Sequence, residues 1–225
     1  MKLSICIPVY NFGYCLPETL DTIVTQSKFS DVELVILDGA SSDNTQIIIA
    51  NYQRYFSNIK YIRMKERGGI DRDMARVVSH ASGDYCWLFS GDDFMLPGAL
   101  GKALNQIETG ADLYLTQHYE WVDDRSEWVK WPTVNIDDKN IFDFSQIADR
   151  HLYFSQAQNT EAFFSFIGGL IIRRSKWLNV EINEDFIGSC WAHAARIFEL
   201  IPQGLSVKVL NEPYLKRRPD RKSVV

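Results

Sequence analysis

Through the first half of this sequence, short apolar runs rich in β-branched residues alternate with amphipathic stretches, and no other feature constrains the fold as much. The runs are Leu3–Val9, 32–37 (VELVIL), 59–64, 85–89 (YCWLF) and 113–117. The first, second and fourth are apolar at nearly every position, the mark of strands buried on both faces. Between the runs, 17–26, 45–55, 71–82 and 97–107 space their apolar residues at helical period. Pro17 suits a first helical turn and Gly83 a helix C-terminus. Strands alternating with helices predict an α/β fold, with a mostly parallel central sheet flanked by helices. A chain of 225 residues is enough for one such domain.

The pattern changes after residue 117. Residues 118–165 are rich in Trp, Tyr, Phe and Asp and are only weakly periodic, so a long irregular excursion is expected, with one hairpin near 120–131. FIGGLIIR (166–173) reads as a strand rejoining the sheet, and 191–201 as a helix. The expected division is a regular half, 1–117, and an irregular half, 118–219, of one domain. The last residues, DRKSVV (220–225), stand apart. The bases GATCGGAAGAGCGTCGTG of a common sequencing adapter encode them, and TAG follows there. They are expected to be an artefact replacing a natural continuation beyond Pro219.

Composition excludes several classes. With 24 basic and 29 acidic side chains the net charge is -5, which argues against non-specific binding of nucleic acid. Cys6, Cys15, Cys86 and Cys190 include no CxxC pair, so a zinc ribbon is unsupported. Cys6 and Cys86 lie in apolar runs and are expected to act as small hydrophobes in a reduced core. The opening run, stopped by Pro8, is too short for a signal peptide. No apolar stretch approaches the roughly 18–20 residues of a membrane span. A soluble cytoplasmic protein is expected, able to work at a membrane surface.

In open α/β sheets, ligands bind beyond the carboxyl ends of the strands. Four polar clusters fall there: Tyr10-Asn11, Asp38-Gly39, the 68–73 loop and Asp92-Asp93. Two adjacent carboxylates after a buried strand repel each other, and a divalent cation, Mn²⁺ or Mg²⁺, relieves this. The competing reading makes Asp92-Asp93 the N-terminal cap of the helix after Leu96-Pro97. Asp38 is placed to accept a hydrogen bond from a base or ribose, or to open a turn. Gly68-Gly69 permits close backbone approach to a ligand or is a flexible turn, and Arg67 is a phosphate partner or a surface cation. His193 is a candidate for contact with a metal or diphosphate, or a packed side chain. Trp121, Trp128 and Trp131 either stack on sugar faces or pack in the core.

The segments SICIPVYN (4–11), VILDGASSDNT (35–45), GGIDRDMARVVSHASGDY (68–85) and WLFSGDD (87–93) together resemble inverting family 2 glycosyltransferases. GDYCWLFSGDD and IGSCWAHAARIFELI (187–201) are similar to the branch containing O-antigen abequosyltransferases. The resemblance implies a GT-A type fold. A nucleotide diphosphate sugar is the implied donor, a CDP-dideoxyhexose on the abequosyltransferase-like branch, and a glycan or lipid-linked oligosaccharide the implied acceptor, at the inner membrane. It places Pro8, Tyr10 and Asn11 in a first nucleotide-contacting loop, Asp38 on the base, and Gly69, Asp71 and Asp73 in a second nucleotide-facing segment. Asp93 is then the metal ligand, with Asp92 near the ribose or the metal. The family's catalytic base comes from a Glu-Asp pair after a Gly-Gly strand. Here Gly168-Gly169 and Glu184-Asp185 match, with Asp185 as the base and Glu184 and His193 in reserve. Aligned on Arg196, the same position falls on Gly188-Ser189 instead. Two rivals stay open. A nucleotidyltransferase would want a cation in its first loop, which Asn11-Phe12-Gly13-Tyr14 lacks; a degenerate nucleotide-sugar-binding module would bind without turnover.

Overall fold

The computed structural model describes residues 1–26, 31–123, 125–137 and 140–219; the 220–225 tail lies outside the described residues. The predicted alternation is present as β1 (Leu3–Val9), α1 (Leu16–Val24), β2 (Val32–Asp38), α2 (Thr45–Gln53), β3 (Ile59–Arg63), α3 (Ile70–Ser79) and β4 (Tyr85–Leu88). A two-residue strand, β5 (Phe94–Met95), precedes α4 (Ala99–Ile107). There follow β6 (Leu113–Val122), β7 (Glu127–Trp131), β8 (Ile141–Asp143), α5 (Ile147–Ser155), β9 (Leu170–Arg173), α6 (Arg174–Leu178), α7 (Ala192–Leu200) and β10 (Ser206–Lys216).

Among the described residues these strands form one sheet in the order β3-β2-β1-β4-β9-β6-β10-β5, with β7 on β6 and β8 on β10. β1 pairs in parallel with β2 and β4, β2 with β3, and β6 with β10. β9 runs antiparallel between β4 and β6, and β5 antiparallel to β10. The expected strand at 166–173 is thus shorter: a 3-10 turn occupies Ile167–Gly169 and the strand starts at Leu170. The hairpin near 120–131 is present, with Val122 opposite Glu127 and His118 opposite Trp131.

Alternation along each strand supplies both layers of the core. Leu3, Ile5 and Ile7 of β1 face the layer holding Leu16 and Leu20 of α1, Ile49 of α2 and Leu100 of α4. Cys6 of β1 and Cys86 of β4 face the opposite layer, with Met74 and Val77 of α3, Trp177 of α6 and Ile197 of α7. Both cysteines are buried free thiols, as expected. Trp87 of β4 is fully buried, and its indole N–H donates to Gly168 O at 2.8 Å, tying the turn before β9 to the sheet centre. Losing such a side chain costs about 3–5 kcal/mol.

Chain order reverses at β1: β2 and β3 lie to one side and β4 to the other. The crevice of an open sheet forms at such a switch point, outside the carboxyl ends. Here those ends carry residues 10–13 and 90–93. Among the described residues, no helix is long and apolar enough to cross a membrane.

Candidate active site

Asp92 and Asp93 leave β4 at the switch point and lead into β5, not into a helix. α4 starts at Ala99, after Gly98 at φ 79°, so the helix-cap reading of the acid pair is excluded. Ahead of them, a Cβ on Gly91 would lie 2.9 Å from Val9 Cγ1, so this turn presses on the end of β1. Ser90 Oγ donates to Asp92 Oδ1, and Asp92 is half-buried. Asp93 is 3% exposed; its Oδ1 accepts the backbone N–H of Arg218 at 3.0 Å. Burial, then the charge of Asp92, push the Asp93 carboxyl up to about 7.

A buried acid beside a second acid is an unrelieved repulsion, and two hard oxygen donors suit a small divalent cation. Among the described residues no group of three or more His, Cys, Asp or Glu converges as a ligand set. Asp92 and Asp93 therefore fit a cation that takes its other ligands from water and phosphate, in the manner of Mg²⁺ or Mn²⁺. His193 does not join them. It is buried on α7 with Nε2 3.2 Å from Ser165 O and joins no cluster of acids, which corrects its assignment as a metal ligand.

Beside the acid pair, Pro8, Val9, Tyr10, Phe12, Arg67, Gly69, Ile70 and Asp73 line a cavity of about 260 Å³. The Arg67 guanidinium lies over the Tyr10 ring, 4.2 Å from its centroid. Gly69 caps α3 at φ 81°, and a Cβ there would meet nothing within 4 Å, so this backbone lies open. Asp73 is buried, with Oδ1 only loosely paired to Arg76 at 3.5 Å, and burial raises its pKa. Pro8, Tyr10, Gly69 and Asp73 thus line one cavity.

Three other candidates are engaged elsewhere. Asp38 ends β2 but is fully buried: Ser41 N–H donates to Oδ1 at 2.7 Å, and Tyr61 Oη and Arg63 Nη1 donate to Oδ2 at 2.7 and 2.9 Å. The carboxylate facing the cavity at this edge is Asp73. Asn11, at φ 57°, accepts the Ser42 and Asp43 N–H groups on Oδ1 at 2.8 and 3.3 Å, so it stitches two loops. Asp71 accepts the N–H groups of Gly188, Cys190 and Ala192 at 2.8, 3.1 and 3.2 Å. It braces the 188–192 loop and corrects the nucleotide-facing assignment.

The expected base pair is also displaced. Glu184 makes a bidentate ion pair with Arg72 at 2.6–2.7 Å at the surface, which holds its pKa down. Asp185 stands in solvent on the 3-10 turn Glu184–Phe186, its own N–H donating to Asn183 Oδ1. Arg196 is buried, donating to Trp177 O and Val180 O; burial lowers its pKa to about 10. Trp121 and Trp128 pack edge to face on the hairpin, partly exposed, with Lys216 over Trp128.

Sequence reasoning missed Arg217 and Arg218, which follow β10. Arg218 donates through Nε to Asp92 O at 2.7 Å and pairs with Glu18, and Arg217 lowers the Asp93 pKa. The signal available was the basic run at 216–218 after an alternating strand.

Fold and site define an α/β protein of the GT-A type with an acidic pair at its switch point. The solved UDP complex of S. aureus TarS 1-349 superposes at a TM-score of 0.74, 18% identical, covering 100% of this chain and 62% of that one. The mannosyltransferase PcManGT of Pyrobaculum calidifontis, solved with GDP-Man and Mn²⁺, gives 0.66 at 16% identity, covering 98% and 58%. The chain belongs to glycosyl transferase family 2, whose family model matches residues 4–175. Abequosyltransferase RfbV of Salmonella typhimurium is 30% identical over 99% of this chain, which spans 68% of that protein.

Proposed function

We propose that this protein transfers a sugar, with inversion, from a nucleotide diphosphate sugar to a hydroxyl of a glycan or lipid-linked acceptor. The observation that carries the reading is Asp93: buried, beside Asp92, at the switch point of the sheet. The cavity lined by Tyr10, Arg67, Gly69 and Asp73 takes the nucleoside, with Asp73 accepting an N–H or hydroxyl. Arg217 and Arg218 place positive charge beside the acid pair, where the diphosphate is held. Asp92 and Asp93 would hold Mn²⁺ or Mg²⁺, which when bound supplies charge stabilisation to the departing diphosphate. Similarity to the abequosyltransferase along almost the whole chain favours a CDP-activated dideoxyhexose as donor, with residues 183–191 shaping the small sugar's pocket. A lipid-linked acceptor places the reaction at the cytoplasmic surface of the inner membrane.

The test is calorimetry of CDP, UDP, GDP and dTDP with and without Mn²⁺, paired with hydrolysis of the corresponding sugars. Asp93→Ala should abolish the Mn²⁺ dependence of both. Asp73→Ala should weaken nucleotide binding about tenfold, the value of one charged hydrogen bond. Turnover that survives Asp93→Ala would refute the mechanism, and binding without turnover would favour a binding module.

A further inference from the structure

Glu184 is paired with Arg72 at the surface and Asp185 stands in solvent, and neither lines the cavity of Tyr10 and Asp73. A second set of acids adjoins Asp93, on the other side of residues 217–218. Arg217 Nη1 lies 3.4 Å from Glu120 Oε1, while the N–H of the next residue, Arg218, donates to Asp93 Oδ1. Glu120 and Asp93 therefore flank one dipeptide, and the negative charge of Glu120 acts on Asp93. Glu120 sits on β6 where the hairpin leaves the sheet, and its side chain is 25% exposed.

Behind Glu120 lies His118, fully buried and two residues earlier on the same face of the strand. Its Nε2 is 3.2 Å from Glu120 Oε2. Its Nδ1 has no hydrogen-bond partner among the described residues, and the nearest carboxylate oxygen, Glu161 Oε2, is 3.6 Å away, too far for a hydrogen bond. A buried ring nitrogen left unsatisfied is costly and calls for explanation. Phe166 packs against the imidazole with centroids 4.4 Å apart and the rings tilted by 39°, and a Cβ on Gly168 would lie 3.0 Å from Phe166 Cζ and 3.1 Å from Asp93 Oδ2. The packing from His118 to Asp93 is thus continuous.

We propose that Glu120 is the general base that takes the acceptor proton, with His118 as its positioning residue. The assignment rests on the glycosyl-transfer reading above. In the step, the acceptor oxygen forms its bond to the anomeric carbon while the bond from that carbon to the diphosphate oxygen breaks. The electron pair leaves with the diphosphate, and the hydroxyl proton goes to a Glu120 carboxylate oxygen. The His118 imidazole, with Nε2 3.2 Å from Glu120 Oε2, holds Glu120 in one orientation.

The experiment measures Mn²⁺-dependent hydrolysis of CDP-, UDP-, GDP- and dTDP-sugars by the wild type, Glu120→Gln, Glu120→Asp, Asp185→Asn and Asp93→Ala. Nucleoside diphosphate binding is followed by calorimetry in parallel. Glu120→Gln should lower kcat by about 10²–10⁴-fold with donor KM and nucleotide binding little changed, and Glu120→Asp should recover part of the rate. Wild-type turnover by Glu120→Gln overturns the proposal, as does a loss that falls on Asp185→Asn instead. A Glu120→Gln protein that no longer binds nucleotide assigns the residue a structural role and also overturns it. If the wild type hydrolyses no donor, or Asp93→Ala matches it, the glycosyl-transfer reading itself fails.

Discussion

Asp71→Ala isolates one carboxylate whose work is architectural. Its Oδ2 accepts the N–H groups of Gly188 and Cys190, and its Oδ1 that of Ala192, the first residue of α7. Trp191, the residue preceding α7, offers no side-chain cap, and the first turn carries no acid, so Asp71 supplies the negative charge the helix N-terminus favours. Hydrogen bonds to a charged group contribute about 1.5–3 kcal/mol each, offset in part by burying the carboxylate. A net loss of about 3 kcal/mol is expected, a Tm drop of about 6–12 °C for a chain of this size. Asp71→Asn keeps one acceptor oxygen and turns an NH₂ toward the remaining donor, so it should fall between. Urea unfolding measures the loss, and hydrogen exchange should show amides 188, 190 and 192 opening first. Unchanged stability within about 0.5 kcal/mol, or unchanged exchange at those amides, would refute the brace.

Two further outcomes follow from the same geometry. Burial raises the Glu33 pKa, but donation by Ser4 Oγ at 2.6 Å and by Ser82 N–H and Oγ outweighs it, so the carboxyl sits below its ordinary value. A depressed carboxyl stabilises the fold above its unfolded pKa and loses that contribution as pH falls through the folded one. Glu33→Gln should therefore cost about 1–2 kcal/mol near pH 7 and flatten the acid limb of stability, read from urea midpoints across pH; a parallel shift at all pH values would contradict this. Gly168→Ala should crowd both Phe166 and Asp93, costing about 1–3 kcal/mol and weakening Mn²⁺ binding in calorimetry, whereas wild-type affinity would show that Asp93 can yield.

The regular half of the fold was legible because both faces of its strands are buried, which leaves nearly continuous apolar runs at β1, β2 and β4. β10 escaped notice because Asn211-Glu212-Pro213 reads as a loop. In the sheet it is an irregularity, with the pairing register to β6 shifting on either side of Pro213. α5 escaped because its only buried side chain is Tyr153, while Ile147 and Leu152 face solvent, so it has no apolar stripe to read. The site was legible in position but not in orientation. An Asp at a strand end or helix start announces a carboxylate near the crevice, not which way its oxygens turn. Asp38 and Asp71 turn into the protein and hold loops; Asp73 lines the cavity and Asp93 adjoins Arg218.

The irregularity in β10 bears directly on the chemistry. Shifted at Pro213, the strand ends by pairing with two partners at once: Lys216 lies opposite Phe94 of β5, the residue after Asp93, and beside Tyr119 of β6, the residue before Glu120. Arg217 then donates its N–H to Tyr119 O at 3.0 Å, and Arg218 donates its own to Asp93. One short segment thereby sets the spacing between the acid pair and Glu120. Residues 93, 120 and 218 are distant in sequence, so no local motif could have announced their meeting. It forms only when β10 closes against both β5 and β6, and a regular β10 would turn Arg217 and Arg218 to other faces.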